Sequence, residues 1–244
     1  MKKRKNNENI IIDEEKETIE RNLIECDQYD NSIKVIILGD SYVGKSSLIN
    51  RLINNKFSEL SSTLSIEYHT YIMSINDYKL RMQLWDTAGQ EKFNSIISNY
   101  YKGTDVAIFV YSIDKEESFQ NIEKWVKHLK ENNESSLNIL VGNKKDLENE
   151  IDGRVITYEK AEQFAENNNF YLFTEMSCKS KEYESDDINF IFDEIGKYFY
   201  EKSKEDGNNN DSINYKVSDS MRTLGEKHRI DKENKKNKKN KKCC

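Results

Sequence analysis

The sequence predicts a three-layer α/β domain: a mostly parallel, six-stranded sheet with one antiparallel strand, flanked by helices. Two observations predict it. Continuous apolar runs suited to buried parallel strands alternate with amphipathic helical stripes. Two other strand-like runs are separated only by Asn76-Asp77, a hairpin turn, and a hairpin makes one strand antiparallel.

The elements follow in order. "IKVIILG", from Ile33, is an apolar run ending in glycine, the mark of a buried strand. "KSSLINRLIN" places Leu48, Ile49, Leu52 and Ile53 at helical spacing. "YHTYIMSI" and "YKLRMQLW" form the hairpin, and "DVAIFVYSI" is a further buried strand. Phe119, Ile122, Trp125, Val126 and Leu129 make the next helical stripe. "LNILVGNK" is a strand, Tyr158–Asn168 a helix and "FYLFTEMS" a strand. The last helix carries Ile188, Ile191, Phe192, Ile195 and Phe199 on one face.

The domain is expected to span residues 32–204. Residues 1–31 read as a charged, solvated and disordered arm, the alternative being a short helix with Ile19, Leu23 and Ile24 on one face. Residues 205–244 read as a polar linker and a basic tail ending in "KKNKKNKKCC". Charged residues are 34% of the chain and hydrophobic ones 36%, too polar a balance for a globule from end to end. The net charge is −6 although the tail is basic, so composition argues against a nucleic-acid partner. Cys26, Cys178, Cys243 and Cys244 lack the spacing of a secreted disulfide framework. No apolar run approaches the roughly 20 residues that span a bilayer, and the N-terminus lacks a signal-peptide core.

In open α/β sheets, ligands sit beyond the C-terminal ends of the strands. After the first strand comes "GDSYVGKS", residues 39–46, which fits G-x4-G-K-[ST] between a strand and a helix. Gly39, Asp40, Ser41, Tyr42, Val43, Gly44, Lys45, Ser46 and Ser47 would curl backbone N–H groups around a phosphate chain. Lys45 would reach the outer phosphates and the Ser46 hydroxyl would ligate Mg2+. After the hairpin comes "WDTAGQE", where Asp86 can hold the Mg2+ shell, Gly89 can donate to a terminal phosphate and Gln90 can orient an attacking water. After "LNILVG" comes "NKKD". Asp146 can accept from both N1–H and the 2-amino group of guanine, a donor pair that adenine lacks. The Asn143 amide can serve the base's other edge and tie loops together, and the Lys144 stem can cover the ring. Ser177, Cys178 and Lys179 follow the last strand, where a backbone N–H can meet guanine O6.

In this order, "GDSYVGKSS", "WDTAGQEKF", "VGNKKDL" and "EMSCK" resemble the small GTPases of the Ras superfamily. "TAGQEKF" and "YYKGTDVAIFVYSID" are most similar to Rab proteins, and the resemblance covers about residues 32–203. It implies the P-loop GTPase fold, or G domain, and a slow GTP hydrolase that switches between GDP and GTP forms and directs vesicle traffic. An exchange factor, a GTPase-activating protein, a GDP-dissociation inhibitor and effectors are the partners it implies, with the protein itself a monomer. Family spacing from Trp85 puts Thr63 at the switch I threonine that closes over Mg2+, and places Tyr68, Trp85 and Tyr100, with Ile66, on the effector surface. Phe57 is the candidate aromatic beside guanine.

Several positions depart from the family. Tyr42 stands where a small residue is usual, Ser65 replaces glycine, Cys178 replaces alanine, and switch I is one residue short between Phe57 and Thr63. A GTP-binding scaffold that does not hydrolyse is the alternative these departures raise; intact Lys45, Ser46, Thr63, Asp86 and Gln90 oppose it. Asp146 opposes an ATP-using enzyme. A terminal Cys-Cys pair could be a metal scrap, a redox site or an attachment point. The resemblance implies the last: geranylgeranyl groups on Cys243 and Cys244, with the lysine run attracted to an anionic leaflet. The expected location is the cytoplasmic face of an intracellular membrane, in exchange with the cytosol.

Overall fold

The computed structural model describes residues 18–21, 28–57, 66–87, 100–133, 135–151, 153–179 and 186–207, the last with side chains for 188–205. Its elements are β1 (Ile19–Arg21), β2 (Asn31–Leu38), α1 (Lys45–Asn54), β3 (Glu67–Ile75) and β4 (Tyr78–Asp86). There follow β5 (Val106–Ser112), α2 (Glu116–Gln120), α3 (Ile122–Asn132), β6 (Leu137–Asn143), α4 (Tyr158–Asn167), β7 (Leu172–Glu175) and α5 (Asp186–Gly207).

The strands form one sheet in the order β1-β3-β4-β2-β5-β6-β7. β3 alone runs against the rest, because it pairs antiparallel with both β1 and β4 while the other ladders are parallel. The hairpin is as tight as the sequence implies: Ile75 faces Tyr78, and Asn76 takes φ 50. Alternation along the strands sorts side chains into two clusters. Ile33, Val35 and Ile37 of β2 face α1 and α5, and Ile36 and Leu38 face α2, α3 and α4. All five apolar residues expected on the last helix are buried, and so are those of the stripe from Phe119 to Leu129. That stripe crosses a break at Asn121 between α2 and α3.

Two boundaries differ from expectation. The sheet has seven strands rather than six, because part of the charged arm is a strand. Ile19 packs on the first cluster and pairs with Ile75. The Thr18 N–H and C=O both bond Asn76, to its side chain at 3.1 Å and its N–H at 2.8 Å. Arg21 forks onto Asp193 of α5 at 2.8 and 2.5 Å. Helical packing of Ile19 with Leu23 and Ile24 is thereby excluded at Ile19, while Leu23 and Ile24 lie outside the described residues. At the other end α5 runs to Gly207, beyond the boundary expected at Lys204.

β2 has parallel neighbours on both sides, and the chain reverses its direction of winding there, so the loop after β2 opens at the sheet's switch point. Arg21→Ala leaves Asp193 without its bidentate partner. Its expected effect is a loss of about 1–2 kcal/mol in a urea melt, because the pair is part-buried. An unchanged melt would show that the strand is not fixed by this pair.

Candidate functional site

The loop after β2 is built around two glycines. Gly39 has φ 141, and a Cβ there would stand 2.1 Å from the carbonyl oxygen of Val110. Gly44, with φ 102, caps α1, and its Cβ would stand 2.1 Å from Nδ2 of Asn143. Lys45 opens α1, and its Nζ donates to the carbonyls of Gly39 at 2.9 Å and Asp40 at 2.8 Å, spanning the loop. Burial pushes its pKa down to about 8, against the pull of Asp86 and Asp40. Val43 is fully buried, and Ser41 and Ser47 are half-buried. Tyr42 has φ 64 and is 66% exposed, so its ring stands clear of the core.

Asp86 ends β4 beside this loop. The Ser46 hydroxyl donates to its Oδ2, and its Oδ1 is buried with no hydrogen-bond partner among the described residues. Burial raises the Asp86 pKa, opposed by Ser46 and Lys45. A buried carboxylate oxygen left unmatched beside a serine hydroxyl is a donor set of hard oxygens that suits Mg2+. Thr87, next in sequence, donates to the carbonyl of Ile37 at 2.6 Å and fixes this strand end to β2.

The loops after β6 and β7 meet the first loop through one side chain. Asn143 is 2% exposed. Its Nδ2 donates to the carbonyl of Val43 at 2.8 Å, and its Oδ1 accepts the Cys178 N–H at 3.2 Å. The tying role expected of Asn143 is thus present, and the Cys178 N–H is already donated to it. Lys144 takes φ 66 and its Nζ lies 3.6 Å from Asp114. Asp146 sits in a single 3-10 turn, accepts from the Ser177 hydroxyl, and is only half-buried. The Lys179 N–H donates to Ser177 Oγ at 3.1 Å. Cys178 is buried, and burial pushes its thiol up to about 12, so it is inert packing. Phe57 is half-buried against the first cluster.

The three aromatics expected on one surface do meet. Tyr68 and Trp85 lie edge to face at 5.2 Å, and Trp85 and Tyr100 are 5.3 Å apart. Ile66, Trp85 and Tyr100 each pack against the margin of the second cluster. Lys34 Nζ lies 5.3 Å from the Trp85 ring. Thr63, Ser65, Gly89, Gln90, Cys243 and Cys244 lie outside the described residues.

Sequence reasoning missed two supports. Asp40 directs both carboxylate oxygens to Asn121 and Trp125, at 2.7 and 2.9 Å. Arg154 forks onto Glu175 at 2.9 and 2.7 Å and reaches Glu148 at 2.8 Å, bracing the segment after Asp146 against β7. Neither leaves a mark in local spacing, since Asp40 and Trp125 are 85 positions apart.

Residues 34–201 match the sequence model of the Ras family. The chain is 38% identical to the GTP-binding protein ypt3 of Schizosaccharomyces pombe, over 74% of this chain and 84% of that one. It is 38% identical to the Ras-related protein Rab-11B of Dictyostelium discoideum, over 76% and 86%. It is 39% identical to the Ras-related protein RABA1c of Arabidopsis thaliana, over 60% and 67%. The chain belongs to the Rab family of small GTPases. As a Rab it binds guanine nucleotide, hydrolyses GTP and serves vesicle traffic.

The glycine geometry makes this Rab's loop testable. Gly44→Ala forces a positive φ on a side chain and drives its Cβ into the Asn143 amide. The expected cost is about 2–4 kcal/mol in a urea melt, with loss of GDP retention. Gly103, at φ 70 with open space around it, is the control: Gly103→Ala should cost only about 1 kcal/mol and leave GDP binding intact. Equal costs would show that the Asn143 contact is not needed.

Proposed function

We propose that residues 39–47 hold the phosphates of GTP and GDP in this Rab-family hydrolase, and that Ser46, Asp86 and Thr63 hold Mg2+. The observation that carries this reading is the buried pair of Lys45 and Asp86, with half-buried Ser46 donating to Asp86 and the other Asp86 oxygen unmatched among the described residues. Mg2+, when bound, supplies positive charge against the phosphate oxygens.

Lys45 brings a cation held at the loop by two main-chain carbonyls, which a phosphate chain can replace as its partners. Burial strengthens that attraction, because few waters compete for the ammonium. The Ser46 hydroxyl donates its proton to Asp86, which sets the serine oxygen and the carboxylate side by side as hard oxygen ligands. The backbone N–H of Gly89 donates to the terminal phosphate, and Gln90 orients the attacking water. Asp146 selects guanine, with Asn143, Lys144, Ser177, Cys178 and Lys179 framing the base and Phe57 beside it. No side chain among the described residues is placed as an arginine finger, so turnover is slow until an activating protein supplies one.

In the same reading Cys243 and Cys244 carry geranylgeranyl groups that anchor the protein to the cytoplasmic face of an intracellular membrane. Two chains suffice where one is marginal, each buried CH2 adding about 0.8 kcal/mol, and the lysine run adds attraction to anionic lipid. No helix among the described residues is long and apolar enough to cross a membrane. The protein acts as a monomer that cycles with the cytosol, through a GDP-dissociation inhibitor and an exchange factor. Effectors bind on Ile66, Tyr68, Trp85 and Tyr100; the three rings contact one another in series, and Ile66 packs at the edge of the second cluster.

Conversion of bound GTP to GDP, followed by chromatography on the full chain with Mg2+, tests the assignment. The wild type should convert slowly. Gln90→Leu should convert at least about tenfold more slowly with unchanged GDP affinity. Conversion of the variant at the wild-type rate would remove Gln90 from the water-orienting role. A wild type that never converts its GTP would favour the scaffold alternative.

A further inference from the structure

A carboxylate in a phosphate-binding loop is an electrostatic liability, because it repels the ligand the loop must hold. Asp40 is such a residue, and the structure shows where its charge goes. Its Oδ2 accepts from Asn121 Nδ2 at 2.7 Å and its Oδ1 from Trp125 Nε1 at 2.9 Å. Asn121 is the residue that precedes α3, and Trp125 lies in its first turn. Trp125 is buried in the second cluster, and the Asn121 backbone bonds both ways along the helical run, to Glu117 at 2.9 Å and from Trp125 at 3.1 Å. The Asn121 amide is also held in orientation: its Oδ1 accepts from Lys124 at 2.7 Å, which leaves Nδ2 for Asp40. Meanwhile the Asp40 carbonyl accepts from Lys45 Nζ at 2.8 Å. One residue therefore joins the phosphate-loop lysine to the helical layer on the sheet's far face.

We propose that Asn121 and Trp125 are positioning residues for phosphate binding. They act through Asp40, holding its carboxylate on α3 and its main chain at Lys45. Loss of either donor frees an anion beside the phosphates and loosens the carbonyl that places the lysine. The inference rests on the assignment of residues 39–47 to the phosphates.

The test is the rate of GDP release from the full chain in Mg2+, read with a fluorescent GDP analogue, beside a melting curve for each variant. Trp125→Phe keeps the ring and loses only the N–H, and should release GDP about three- to tenfold faster. Asn121→Asp sets carboxylate against carboxylate and should release it about tenfold faster or more. Asn121→Asp combined with Asp40→Asn exchanges amide and carboxylate across the same bond, and should return to within about threefold of wild type. A general packing defect at Asn121 would not be rescued by the exchange. Release at the wild-type rate in the single variants, or an exchange variant as fast as Asn121→Asp, overturns the proposal while leaving the phosphate assignment in place. A wild type that fails to retain GDP at all would remove both.

Discussion

The site depends on one buried amide. Asn143 spends its Nδ2 on the carbonyl of Val43 and its Oδ1 on the N–H of Cys178, so three loops from three strands share a single side chain. An amide at 2% exposure that lost these partners would be left with unmatched polar atoms, at about 1–3 kcal/mol each. The contact also explains why position 44 must be glycine, since a Cβ would occupy the place of the amide nitrogen. The loop proposed to hold phosphate and the loops proposed to hold the base are therefore tied into one arrangement.

The sheet makes that arrangement rigid. β2 sits at its centre, its alternate residues buried in two separate clusters, so the strand that leads into residues 39–46 is held from both faces. Thr87 fixes the end of β4 to β2, and Arg154 with Glu175 fixes the segment after Asp146 to β7. Lys45 and Asp86 stand buried within this frame with charges only partly matched. Such a cleft favours a ligand that brings both phosphate anions and a cation. The aromatic patch of Tyr68, Trp85 and Tyr100 is built on β3, β4 and the segment before β5, so this patch shares β4 with Asp86.

Much of this was legible in the sequence because the signals are local. Gly39, Gly44, Lys45 and Ser46 fall within one short motif, and the stripe from Ile188 to Phe199 follows helical period. Asn76-Asp77 marks its own turn. The sheet's seventh strand was not legible. "IER" has no alternation long enough to mark a strand, and what fixes it lies far away: Thr18 meets Asn76 58 positions on, and Arg21 meets Asp193 172 positions on. The pairing of the Asp40 carboxylate with Asn121 and Trp125 was not legible for a similar reason, since those partners lie 81 and 85 positions away. Long-range pairing of a single polar group leaves no periodic trace.

The most direct measurement of the central claim is amide hydrogen exchange on the GDP-bound full chain, wild type against Asn143→Ala. If the amide joins the loops, protection should fall together in residues 39–46 and in residues 176–179, with the strands behind them unchanged. Loss confined to one loop, or no loss in either, would mean that the phosphate and base sites are held independently and that Asn143 is not their common support.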